Sequence, residues 1–198
     1  MLYGTTGYGG SNGVGTFFKL MPPATSGGTW TEKILYNFVG GNSGSFPTPL
    51  VQGRHGVFDG ATAFGGTQIL GTIFVLNPPT STSGWTESVL YNFVGGSSGS
   101  GPGAPLALDG SGSLYGTTIN GGSNACGRSG GCGTVFKLSP PATSGSSWTQ
   151  SVLDAFTGGH DGYSPGPGGL LLQRGLLFGT TEGGGTIGSY GTAYRIVP

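Results

Sequence analysis

The sequence predicts an all-β fold of short antiparallel strands, and three observations predict it: a unit repeated along the chain, glycine in place of charge, and no helical periodicity. The unit opens at Leu2-Tyr3-Gly4-Thr5-Thr6 and returns at Phe58-Asp59-Gly60-Ala61-Thr62, Leu114-Tyr115-Gly116-Thr117-Thr118 and Leu177-Phe178-Gly179-Thr180-Thr181. The openings lie 56, 56 and 63 residues apart, and a fixed period marks a stacked repeat. Gly supplies 46 of the 198 residues and charged residues only 7%. Average proteins carry about 7% Gly and roughly 25% charge. The glycines separate short runs of Val, Ile, Leu, Phe and Tyr, where turns need positive φ. No segment keeps a 3.6-residue apolar spacing over a helix length.

Taken in order, each opening reads as a strand. The Gly-rich gap behind it, such as Gly7-Tyr8-Gly9-Gly10 or Gly121-Gly122-Ser123-Asn124, is expected to be a hairpin loop. A second strand follows at Gly15-Thr16-Phe17-Phe18, Gly71-Thr72-Ile73-Phe74, Gly133-Thr134-Val135-Phe136 and Gly191-Thr192-Ala193-Tyr194. The first three of these close on Pro22-Pro23, Pro78-Pro79 and Pro140-Pro141. A third strand starts behind Trp30, Trp85 or Trp148 and runs to Phe38, Phe93 or Phe156. A further strand precedes each later opening, at Pro49–Gln52, Pro105–Asp109 and Gly169–Gln173.

Four strands per unit is the arithmetic of a β-propeller blade, which runs ~40–50 residues in common families. A solenoid coil is shorter, and a sandwich needs no repeat. The expected fold is therefore a β-propeller of about three and a half blades, with fourteen strands in one repeat domain. The approximate blade bounds are 1–45, 46–101, 102–164 and 165–198. Tyr3, Phe18, Trp30, Phe38 and their counterparts are expected to fill the seams between blades. The first blade lacks one strand and the last lacks a different one. The expectation is a part of a longer propeller, or one completed by self-association through the open edges.

The strand order within the unit resembles the kelch blade. More specifically, LYGTT, GTVFKLSPP and WTESVLYNFVGG resemble the tandem repeats of bacterial GloVer-containing "choice-of-anchor" surface proteins. The resemblance covers residues 2–198 and is weakest at Phe58-Asp59-Gly60-Ala61-Thr62. It implies an exported array with an N-terminal signal and a C-terminal surface anchor, neither of which is seen in this sequence. It implies no reaction.

Charge excludes some functions. Seven Lys+Arg balance seven Asp+Glu, so a basic nucleic-acid footprint is absent. No run reaches the ~20 apolar residues of a transmembrane segment. The opening Met1-Leu2-Tyr3 shows no basic and apolar signal-peptide regions, which taken literally points to the cytoplasm. The cysteines point outward instead. Cys126 and Cys132 bound a Gly-rich loop inside the longest repeat and are expected to form a disulfide, which belongs to an oxidising compartment. Metal binding would need two further ligands nearby, and the loop between the two cysteines holds no His and no other Cys.

No reactive constellation emerges. His55 and His160 are the only histidines, and no nucleophile-elbow serine accompanies either. Asp109, Asp154, Asp161 and Glu182 form no repeating pair of the kind a glycosidase holds ~5–10 Å apart. Asp109-Gly110 and Asp161-Gly162 read as turns. No Gly-Lys-Ser/Thr follows the Gly-rich gaps, so they are not phosphate cradles. The expectation is a non-enzymatic extracellular scaffold without cofactor or metal. Its loops, with His160, Asp161 and Tyr163 as contacts, bind carbohydrate or a surface protein. The competing readings are a polysaccharide lyase or glycosidase, in which Asp161, Glu182 and a His converge, and a structural subunit joined through open blade edges.

Overall fold

The computed structural model describes residues 1–143, 145–186 and 189–198. Among them stand sixteen β-strands and no α-helix. The first sheet holds β1 (Leu2–Thr6), β2 (Thr16–Met21) and β3 (Thr31–Asn37). The second holds β4 (Ser45–Pro47), β5 (Val51–Gln52), β6 (Phe58–Phe64), β7 (Thr72–Asn77) and β8 (Thr86–Asn92). The third holds β9 (Ala107–Leu108), β10 (Leu114–Thr118), β11 (Thr134–Ser139) and β12 (Thr149–Ala155). The fourth holds β13 (Tyr163–Pro165), β14 (Leu171–Gln173), β15 (Leu176–Gly183) and β16 (Ala193–Ile196). All pairings of these strands are antiparallel.

Strand pleating sends alternate residues to opposite faces, and here both faces are apolar. On β7, Phe74 and Leu76 enter the seam with the first sheet, while Ile73 enters the seam with the third. On β11, Phe136 and Leu138 face back and Val135 faces forward. Three core clusters result, one in each seam between consecutive sheets.

The glycine of each opening strand is explained by what lies over it. Gly4, Gly60, Gly116 and Gly179 stand opposite Phe18, Phe74, Phe136 and Tyr194 in register. A Cβ at Gly60 or Gly116 would come within 2.7 or 2.6 Å of the facing ring's Cζ. With no side chain in the way, the ring drops onto the strand, and its edge or face receives an aromatic from the preceding sheet. The pairs are Phe38–Phe74, Phe93–Phe136 and Phe156–Tyr194, at centroid distances of 5.2, 5.3 and 5.0 Å. Such tilted contacts suit the ring quadrupole.

A β-bulge recurs at Phe17/Phe18, Ile73/Phe74 and Val135/Phe136. It leaves Leu35, Leu90 and Leu153 without a register partner. The extra residue breaks the strict alternation, so adjacent Leu35 and Tyr36 both pack in the first seam, and Leu90 and Tyr91 in the second.

Backbone also crosses each seam. The N–H groups of Phe46, Gly101 and Ser164 donate to the carbonyls of Val14, Leu70 and Cys132, at 3.1, 2.9 and 2.8 Å. All three donors adopt positive φ, at 59°, 64° and 54°. Immediately beyond them, Pro47, Pro102 and Pro165 press on Gly15, Gly71 and Gly133. A Cβ at any of those glycines would lie 2.6 Å from the proline Cδ.

Two expectations change. In the second and fourth sheets two short strands share one edge: β4 and β5 both pair with β6, and β13 and β14 both pair with β15. The breaks fall at residues 48–50 and 166–170, where Pro49 and Pro167 have no N–H to give to a ladder, which makes sixteen strands rather than fourteen. In addition, Trp30 is 52% exposed, since among the described residues no sheet stands against its side of the first sheet. Tyr3 enters the first seam as expected, 4.9 Å from the Phe58 ring, while staying 43% exposed. Phe38 fills its seam as expected, and Trp85 and Trp148 pack at the edges of theirs.

Gly116→Ala should lower the unfolding free energy by about 1–3 kcal/mol through overpacking. Gly110→Ala, where no heavy atom lies within 4 Å of the new Cβ, should change it by less than about 0.5 kcal/mol. Urea denaturation of the two variants checks the contrast.

Candidate ligand-binding face

One end of the strands carries the hairpin loops together with the turns that lead into the next sheet, and four threonine pairs anchor it. Thr6–Thr16, Thr62–Thr72, Thr118–Thr134 and Thr181–Thr192 join hydroxyl to hydroxyl at 2.8–2.9 Å. In each pair the second residue's N–H also donates to the first residue's Oγ1. The carbonyls of Gly41, Gly96 and Gly159 each accept two N–H groups, one from their own turn and one from Gly66, Gly122 or Gly185 in the neighbouring hairpin loop. The loops therefore form a fixed frame.

On this frame the first seam presents a tier of aromatic side chains. Tyr8 meets Phe46 edge-on at 4.6 Å, and Phe46 meets Phe64 edge-on at 5.4 Å. Tyr8 is 72%, Phe64 54% and the neighbouring Ile69 72% exposed. Beside them is a hollow of about 460 Å³ lined by Asn42, Ser45, Phe64, Gly65, Thr67 and Ile69. The equivalent places in the second seam are Phe64, Gly101 and Asn120, and in the third they are Asn120, Ser164 and Gly183. The tier is thus peculiar to one seam and is not part of the repeated core. Sequence reading missed it because its three rings come from separate places, the loop after β1, β4 and β6. The usable signal is aromatic residues at Tyr8 and Phe64, where the third repeat has Asn120.

The residues expected from sequence lie at the same end of the strands, in the third seam. His160 is exposed. The Asp161 carboxylate accepts the Thr157 N–H and hydroxyl, both at 2.7 Å, so it shapes its own turn. Tyr163 lies beneath the Arg128 guanidinium, 5.5 Å from ring centroid to Cζ. Glu182 accepts a hydrogen bond from the Ser164 hydroxyl at 3.1 Å. Cys126 and Cys132 form a disulfide. Cys132 is fully buried in the third seam, and its carbonyl is the one that ties Ser164. The disulfide therefore fixes the loop carrying Arg128 against the fourth sheet.

Three acids have shifted titrations. Glu87 accepts the Tyr36 hydroxyl across the first seam at 3.0 Å, and its other oxygen is buried without a partner. Burial pushes it up to about 7, against the pull of the Tyr36 hydrogen bond. Asp59 takes the tyrosine place of the second repeat, and burial raises it to about 6. Asp109 is pushed up by burial, but hydrogen bonds from Ser111, Ser113 and Tyr115 outweigh this and hold it below its ordinary value. Asp109 thus organises a turn, as its Asp-Gly dipeptide suggests. No cluster of three or more His, Cys, Asp or Glu arranged to hold a metal ion occurs among the described residues.

The model of the Gloeobacter/Verrucomicrobia repeat matches residues 1–198. No curated protein matches the chain.

Glu87 binds its proton more tightly folded than unfolded, so stability should be highest below about pH 4.5 and fall as pH rises through about 7. Asp59 adds to the same decline, while Asp109 opposes it only in acid. Glu87→Gln should flatten the profile, as followed by thermal unfolding from pH 4 to 8; Gln150 already holds the equivalent place in the third sheet. Replacing both cysteines by serine should cost about 2 kcal/mol of stability, by the entropy of so short a loop. Oxidised and reduced unfolding curves measure this.

Proposed function

This chain belongs to the Gloeobacter/Verrucomicrobia repeat family along its whole length, and from that premise we propose that its sheets are kelch-like propeller blades forming a non-enzymatic extracellular scaffold that binds carbohydrate on its loop face. The observation that carries the reading is the tier of exposed Tyr8 and Phe64 about half-buried Phe46, beside a hollow lined with Asn42, Ser45 and Thr67. Aromatic faces take the apolar side of a pyranose ring, and hydroxyl and amide groups take its rim. A frame of paired threonines and turn hydrogen bonds holds these groups in place without ligand, which reduces the ordering cost of binding.

Several features agree with this reading. In the propeller arrangement β4, β5, β9, β13 and β14 stand innermost, and Phe46, in β4, sits at the mouth of the axis. His160 and Tyr163 extend the same face at the third seam. The disulfide suits an oxidising compartment. Low charge on a Ser- and Thr-rich surface suits a neutral hydroxylated ligand.

A second reading, assembly through open edges, is favoured by the outward faces of the end sheets. Leu2 is 58% exposed, and a hollow of about 560 Å³ opens on the last sheet at Leu170, Leu171, Phe178 and Ala193. Those are the positions that inner sheets fill with their neighbours.

Tyr8→Ala and Phe64→Ala should each weaken binding of neutral hexasaccharides roughly three- to tenfold. Both residues are exposed, so the melting temperature should stay constant. Calorimetric titration with cello-, laminari- and xylohexaose checks this; no binding to any of the three, or unchanged affinity in both variants, overturns the reading.

A further inference from the structure

At the other end of the first seam, away from the loop face, the repeat is broken by charge. The chain has three lysines, and two of them, Lys19 on β2 and Lys33 on β3, stand directly opposite each other in register. Like charges so placed repel. The corresponding pair is Val75 and Ser88 in the second sheet, and Lys137 and Ser151 in the third. Lys137 rests its ammonium 5.4 Å from the centre of the Tyr115 ring, so the lone lysine of the third sheet has an aromatic partner.

Lys19 and Lys33 share a hollow of about 330 Å³ with Ile34, Leu35, Pro79 and Trp85. Trp85 leans edge-on against buried Phe17 at 5.1 Å and is only partly buried, which fixes the indole while leaving surface free toward the hollow. Glu87, the acid that the facing strand β8 brings to this seam, spends one oxygen on Tyr36. Glu32 precedes Lys33 on β3 and belongs to the opposite face of the sheet, where its register partner is Leu20.

Two ammonium groups with an indole and a proline at their side meet a ligand that is anionic at one edge and apolar on one face. We propose that this hollow binds an acidic polysaccharide through the carboxylate of a uronate residue, with the sugar ring against Trp85. The carboxylate offsets the repulsion between the lysines, and charge-assisted contacts are the stronger class of hydrogen bond. The site shares no residue with the aromatic tier and stands independently of it.

The test is calorimetric titration of hexagalacturonate into the full chain, the Lys19→Gln/Lys33→Gln variant and Tyr8→Ala, with cellohexaose and inorganic polyphosphate as companion probes. The expected result is hexagalacturonate binding that weakens about tenfold or more in the double variant. It should weaken further at about 0.5 M salt as the charges are screened, and should be unchanged in Tyr8→Ala. Melting temperature checks the fold of the double variant and should hold or rise as the repulsion is lost. Absence of hexagalacturonate binding, or equal affinity in the double variant, overturns the proposal. Polyphosphate binding as tightly and with the same lysine dependence also overturns it, since the site would then recognise charge without sugar. Loss of cellohexaose binding in Tyr8→Ala alone reports on the loop face and leaves this site intact.

Discussion

Everything in this chain depends on sheets that are apolar on both faces. Such a sheet buries one side only when another sheet stands before it and the other only when one stands behind. The contact that makes the stacking close is the ring lying on a glycine. The aromatic of the second strand drops onto the first strand because no Cβ holds it off, and it then receives the aromatic leaving the previous sheet. Burying a Phe side chain is worth about 1.5–3 kcal/mol, and six phenylalanines here are wholly buried. With so few ionic side chains, apolar seams and backbone ties carry the cohesion.

The repeated parts build the frame, and the chemistry sits where a repeat departs from its fellows. The threonine pairs, the double acceptance at Gly41, Gly96 and Gly159, and the proline-on-glycine contacts recur from seam to seam. The Tyr8–Phe46–Phe64 tier, the Lys19–Lys33 pair and the disulfide loop each occur once. The first two share a seam but occupy opposite ends of it, so one junction offers a neutral aromatic surface at one rim and a cationic one at the other.

Much of this was legible in the sequence. The repeated openings gave the sheets, the Gly-rich gaps gave the hairpin loops, and Cys126 and Cys132 gave the staple. The additional edge strands β4 and β13 were not legible, because each is three residues long and centred on a positive-φ residue, Phe46 or Ser164, with no common chemistry. The bulge was hidden too, since Leu35 and Tyr36 look like neighbours on opposite faces until the register shows otherwise. Lys19 and Lys33 are fourteen residues apart and become a pair only when β2 and β3 align. The exposure of Trp30 depends on what stands outside the first sheet, which no local pattern encodes.

The hydrogen bond from Tyr36 to Glu87 has a meaning beyond its strength. The aromatic interlock is nearly the same at every junction, so it cannot tell a sheet which neighbour is its own. Chains of similar units are prone to misassembly for that reason. Tyr36 with Glu87 marks the first junction, and Gln150 donating to the Ser98 carbonyl at 3.0 Å marks the second. These polar contacts work as addresses: they add little cohesion, but a sheet set against the wrong neighbour leaves its polar group without that partner.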